Sequence, residues 1–163
     1  MGYLESTAEK IAAARTTFAP LIGLKLSRYE TARLRTEGEG WSRWDDLPIR
    51  LFFESGSCAS VSWTGLNELW VTSEPTVPAW LEDSSDVGWV DGGVADVDTF
   101  VAERLLAVGL GRGEFVLDGR DIEIWTRLLL TFESGHLEIY NALDENGYES
   151  YEDPPVGELR SCV

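Results

Sequence analysis

The tetrapeptide Phe53-Glu54-Ser55-Gly56 recurs as Phe132-Glu133-Ser134-Gly135, and each copy closes a run of large apolar residues. PIRLFF stands at the first copy and TRLLLTF at the second; SCASVSW and HLEIYN follow them. An apolar run, a short polar turn with Gly and a second run rich in apolar residues make a β-hairpin. Two such hairpins commit the chain to antiparallel sheet. Phe is expected in the core at the strand end, Glu and Ser at an exposed turn, and Gly where its lack of a Cβ relieves the backbone.

The likeness extends upstream. LIGLKLSRYE from Leu21 and LLAVGLGRGE from Leu105 agree at Leu21/Leu105, Leu26/Leu110, Arg28/Arg112 and Glu30/Glu114, a spacing of 84 (105 − 21), against 79 (132 − 53) for the tetrapeptides. The five extra residues are assigned to the loop EGEGWSRWDD. Order and hydrophobic pattern together predict an internal pseudo-repeat, 21–75 and 105–155, joined by an acidic linking segment, 76–104. With 163 residues, the chain is expected to form one domain, 1–163.

Local signals fill in the rest. Glu5 to Phe18 lacks Gly and Pro, Ser6 stands at capping-box spacing from Glu9, and Pro20 follows, so the chain is predicted to begin with a helix. LKLSRYETARLR from Leu24 alternates as a half-buried strand does, the EGEG stretch at Glu37 to Gly40 reads as a turn, and ELWVT at Glu68 to Thr72 as a further strand. Ser73 to Asp98 reads as a linking segment ordered by Trp80 and Trp89, and DTFVAERLLAVG, from Asp98 to Gly109, as a short mid-chain helix. Asp118-Gly119-Arg120-Asp121 marks one hairpin, and Asp144-Glu145-Asn146-Gly147 another, with Asn-Gly at its tip. The predicted class is α+β, mainly antiparallel β-sheet in two weakly similar meander halves, with an N-terminal and a mid-chain helix.

Chemistry is thin along the chain. Cys58 and Cys162 with the single His136 are too few for a structural zinc site, and the cysteines are expected as thiols. GLGRG lacks both the Walker lysine and the strand-then-helix order of a dinucleotide site, so its glycines read as turn residues. Ser55 or Ser134 with His136 and an Asp would make a triad by composition alone, but no nucleophile elbow accompanies them. LEDSSDVGWVDGG gathers Asp83, Asp86 and Asp91 without the spacing of a calcium loop. No catalytic residue, metal or cofactor is assigned.

Charge is the stronger clue. The formal net charge is −16; residues 1–72 hold 9 acids and 8 bases, a net of −1, and residues 73–163 hold 20 and 5, a net of −15. Such a surface repels phosphate backbones and anionic lipid and steers basic proteins toward it. A basic protein partner is therefore expected, with no nucleic acid and no membrane. The stretch from Glu145 to Asp153 supplies the candidate face: Glu145, Tyr148, Glu149, Tyr151, Glu152 and Asp153 interleave aromatic area with carboxylates. Trp41 and Trp44 form a second candidate patch. With no basic leader at its start and no apolar run long enough to span a bilayer, the chain is expected to be cytoplasmic. In size, acidity and strand content it resembles, as a class, immunity proteins for nuclease toxins and inhibitors that mimic nucleic acid. The alternatives are a small-molecule pocket between the halves and a carboxylate-dependent hydrolase.

Overall fold

The computed structural model describes residues 2–38, 40–77 and 86–163. Helix α1 (Thr7–Phe18) starts at Ser6, whose Oγ accepts the Glu9 N–H at 3.2 Å and donates to Glu9 Oε2 at 2.6 Å, the reach that the Ser6/Glu9 spacing predicts. Lys10, Ala14, Thr17 and Phe18 form its buried stripe at helical spacing. The helix tightens into a 3-10 turn at Ala19–Leu21, early in which Pro20 costs no hydrogen bond.

Among the described residues, the other elements are antiparallel strands and one more short helix, α2 (Ala95–Asp98). In the first sheet, β1 (Leu26–Thr36) is flanked on one edge by β2 (Gly40–Arg43) and β3 (Ile49–Phe53), and on the other by β6 (Val87–Asp91). β4 (Cys58–Thr64) and β5 (Glu68–Thr72) continue the meander beyond β3. In the second, β7 (Leu105–Gly113) pairs with β10 (Ile124–Phe132) on one edge and with β13 (Leu159–Ser161) on the other. β11 (His136–Asn141) and β12 (Asn146–Tyr151) continue the meander there. The β7–β10 hairpin runs on in the same register as β8 (Val116–Leu117) and β9 (Arg120–Asp121) and turns at Asp118 and Gly119, with φ of 50° and 73°. Those positive angles are what the Asp-Gly signal demands.

The two sheets therefore share one strand order, down to a bulge. Leu26 faces Phe53 and Arg28 faces Phe52 across a register shift; Leu105 faces Phe132 and Ala107 faces Thr131 across another. Both strand starts and both tetrapeptides are then 79 residues apart (105 − 26 and 132 − 53), and the 84-residue alignment is superseded. Leu21 lies in the 3-10 turn, whereas Leu105 begins a strand.

Where β1 and β7 begin, the halves cross. Lys25 and Arg104 bridge, Gly23 N–H donates to Leu105 O at 2.7 Å and Leu26 N–H to Glu103 O at 2.9 Å. The tetrapeptide glutamates serve this crossing: Glu54 Oε1 accepts the Lys25 N–H at 3.3 Å, and Glu133 Oε2 accepts the Arg104 N–H at 3.2 Å. That is the structural use of the repeated motif. One apolar cluster then joins the halves, with Phe18, Tyr29, Phe53 and Trp63 from the first and Leu105, Leu128, Phe132 and Ile139 from the second.

Several expectations are corrected. The mid-chain helix is not Asp98–Gly109 but Ala95–Asp98. Ala102 has φ of 75°, which stops a helix, and LLAVGLGRG pairs along its whole length with β10. The linking segment contributes β6 to the first sheet, and EGEGWSRWDD contributes β2; Trp80 lies outside the described residues. Gly109, Gly111 and Gly113 are strand rather than turn residues. A Cβ on Gly111 would lie 3.1 Å from Leu159 Cδ2 and 3.2 Å from Arg127 Cβ, so glycine admits a close neighbour there. The last hairpin turns at Leu143 and Asp144, with φ of 65° and 76°, while Asn146 and Gly147 already belong to β12.

Candidate binding face

Antiparallel pairing places residues in rows across the second sheet's outer face. One row runs Gly109, Leu129, Glu138, Glu149; the next toward the tetrapeptide turn runs Ala107, Thr131, His136, Tyr151. Ile139 and Leu137, which alternate with Glu138, point into the core. The strand period thus puts a carboxylate on the face opposite the apolar core.

Glu138 is only 4% exposed and is held by Arg127, whose Nε and Nη2 donate to its two carboxylate oxygens at 2.7 Å each. This two-point pair fixes both planes. Arg127 Nη1 also reaches Val156 O at 3.3 Å, tying the chain after β12 to the sheet. The hydrogen bonds to Glu138 outweigh burial and hold the Arg127 guanidinium above its ordinary pKa. Arg112 donates to Asp121 at 3.0 Å. Both arginines of the face are therefore already matched to carboxylates.

Around them opens a cleft of about 500 Å³, lined by Arg112, Glu114, Asp121, Arg127, Glu138, Glu149, Tyr151 and Glu158 among others. Glu114, Glu149 and Glu158 are exposed at its rim. Burial first, and the neighbouring Glu149 carboxylate second, push the Tyr151 hydroxyl well above the usual tyrosine range, so it is a neutral donor at physiological pH.

The six candidate residues separate. Glu149 and Tyr151 share the cleft; Glu152 and Asp153 are exposed just beyond the strand end. Glu145 is exposed at the opposite end of β12, four residues and about 13 Å from Glu149 at ordinary strand rise. Tyr148 faces the other way, packs against the core, and accepts a bond from Asn146 Nδ2 at 3.3 Å. Burial raises its pKa. Sequence reasoning passed over Arg127, Glu138, Arg112 and Glu114. The available signal was a charge interrupting each of the apolar runs TRLLLTF and HLEIYN.

Other candidates fall apart on inspection. Trp41 is 54% exposed and its ring lies against Gly88, whereas Trp44 packs on Ala32 and Leu47 and its Nε1 donates to Asp46, so they make no common patch. His136 Nδ1 faces Thr131 Oγ1 at 3.0 Å, Ser55 Oγ bonds Ser57 Oγ at 3.0 Å, and the Ser134 N–H donates to Glu103, so the bonded partners of the triad set aside above are not one another. Asp83 lies outside the described residues, and Asp91 accepts from Arg28 at 2.9 Å. Among the described residues no group of three or more His, Cys, Asp or Glu is placed to hold a metal, and no helix is long and apolar enough to cross a membrane. Cys58 and Cys162 are buried free thiols. No family model, curated protein or solved structure matches the chain.

Proposed function

We propose that this chain is a cytoplasmic protein-interaction module that captures and blocks a basic protein, as an immunity protein or a small inhibitor does. The observation that carries the reading is the outer face of the second sheet: an open cleft with carboxylates at its rim and no unmatched arginine. It sits in the part of the chain that holds the net −15. Desolvated like charges repel wrong partners and opposite charges speed encounter, so such a face selects for positive surface. A pocket between the halves has less to stand on, because Trp63 fills that space at 0% exposure and its Nε1 donates to Ile139 O at 2.8 Å. A duplicated origin of the halves belongs to the same proposal and is supported by their shared strand order, bulge position and 79-residue spacing.

The test is capture from host lysate with the purified protein at low and moderate salt, beside the variant carrying Glu149→Lys, Glu152→Lys and Asp153→Lys. A basic protein retained by the wild type, released by salt and missed by the variant is the expected result. Equal retention by the variant sinks the assigned face.

A further inference from the structure

The acidic cleft has a neighbour that the capture reading does not use. Sharing the Arg127–Glu138 pair with it is a cavity of about 280 Å³, on the outer face of the second sheet rather than in the interior that Trp63 fills. Its lining is mostly apolar: Leu66, Phe115, Ile124, Tyr140 and Leu143. Two of these are held by bonds between the halves. Thr64 Oγ1 and the Gly65 N–H both donate to Asp144 Oδ1 at 2.6 Å, and Asn141 Nδ2 donates to Gly65 O at 3.0 Å, so the turn after β4 is clamped to the turn after β11. The clamp fixes Leu66 and Leu143 at the cavity although they are 57% and 71% exposed. Leu143 also has φ of 65°. The fold gives this leucine neither burial nor an easy backbone, and an apolar ligand would supply the burial.

The polar end of the cavity is made by a bulge. Trp125 joins the core and Arg127 the outer face, and the register shift between them leaves Thr126 outside both neighbouring ladders. A bulge re-aims a side chain. Here Thr126 Oγ1 lies over Gly113, where any Cβ would collide with it, and lines the cavity. Thr126 is 6% exposed, and its hydroxyl has no hydrogen-bond partner among the described residues. A buried hydroxyl left unpaired is costly, and a ligand that bonds it recovers the loss. Charge selects the ligand's head. Arg127, the cation of the lining, is committed to Glu138, whereas Glu114 is exposed at the rim and has no ion-pair partner among the described residues.

We infer that this cavity binds a small cationic amphiphile, a primary amine on a flat apolar body, with the ammonium directed to Thr126 Oγ1 and Glu114 and the body against Leu66, Phe115, Ile124 and Leu143. The inference is independent of the capture reading, whose triple Lys variant changes none of these residues. The probe is tryptamine, titrated by isothermal calorimetry against wild type, Thr126→Val and Leu143→Asn, each variant first checked by circular dichroism and melting. Thr126→Val keeps the side-chain shape and removes the hydroxyl. Leu143→Asn suits a positive φ, removes an exposed apolar wall, and carries the test if Thr126→Val does not fold. Wild type is expected to bind with a dissociation constant at or below about 1 mM, and each folded variant about fivefold more weakly. Indole-3-propionate, with a carboxylate in place of the amine, is expected to bind at least about tenfold more weakly than tryptamine. Tryptamine failing to bind wild type, indole-3-propionate binding as tightly, or a folded variant binding tryptamine as wild type does overturns the site.

Discussion

Removing the Asn146 side chain should reveal how the two halves are locked. β3 leaves β4 at Val61, so Trp63 further along has no partner on that edge from β3. The Asn146 carboxamide stands in for the missing strand: its Oδ1 accepts the Trp63 N–H at 2.8 Å, and its Nδ2 donates to Val61 O at 3.0 Å. An amide offers the same donor and acceptor as a peptide unit, which is why Asn fits here and an apolar residue does not. The side chain is 3% exposed. Asn146→Ala would leave the buried Trp63 N–H unpaired, at about 1–3 kcal/mol, and would take a second donor from Val61 O, which β3 still pairs through Ile49, so the loss should lie toward the upper end, about 3 kcal/mol. For a chain of this size that lowers the melting midpoint by about 6–12 °C. Asn146→Asp keeps the acceptor but turns a carboxylate oxygen toward the Val61 carbonyl, so it should be at least as harmful at neutral pH and should recover part of the loss on acidification, when the protonated carboxyl can donate again. Urea unfolding gives the number, with an unchanged m-value as the check that the two-state comparison holds. A loss under about 1 kcal/mol for Asn146→Ala would mean that the bridge between the sheets is dispensable and that packing alone joins them.

Two further perturbations follow from buried charges. Lys10 is 0% exposed, donates to Asn67 Oδ1 at 2.5 Å and to Trp125 O at 2.9 Å, and burial pulls its pKa down from 10.5 to about 8. The unfolded chain therefore holds a proton that the folded chain has released between those two values, so the stability of wild type relative to Lys10→Met should rise with pH across that window, by up to about 1.4 kcal/mol per pH unit, and stay level below it; a difference that is flat across the window contradicts the assignment. Glu138→Ala strands the Arg127 guanidinium and should cost about 3 kcal/mol, whereas Arg127→Met with Glu138→Leu should regain most of it, both read by urea unfolding.

The strands were legible wherever local pattern and pairing agreed. PIRLFF, SCASVSW, ELWVT and HLEIYN became β3, β4, β5 and β11 because each alternation had a short hairpin partner beside it. Errors arose where a distant partner decided. DTFVAERLLAVG has helical composition, but β10 and β13 claim its second half from both edges, and long-range pairing overrides propensity. Asn-Gly is the strongest short hairpin signal, yet Asn146 is spent on Trp63 and Val61 across the molecule, and the turn falls instead on Leu143 and Asp144, where positive φ is tolerated because the Asp144 N–H is held by Asn141 Oδ1 at 3.0 Å.

The candidate face was half legible for the same reason. Charge and interleaved tyrosine pointed to β12, but alternation sends Tyr148 inward and Tyr151 outward, and the sequence stretch alone does not say which parity is buried. Parity is settled by β11: Ile139 faces Tyr148 and Glu138 faces Glu149, so the strand whose apolar residues are unambiguous decides for its neighbour. The same logic explains why one architecture can carry two opposite surfaces. The core-facing positions of the two sheets remain apolar in both, since they share one cluster. The outward positions are released from that constraint, so one sheet carries a second small apolar cluster on its outer face and the other an open acidic cleft.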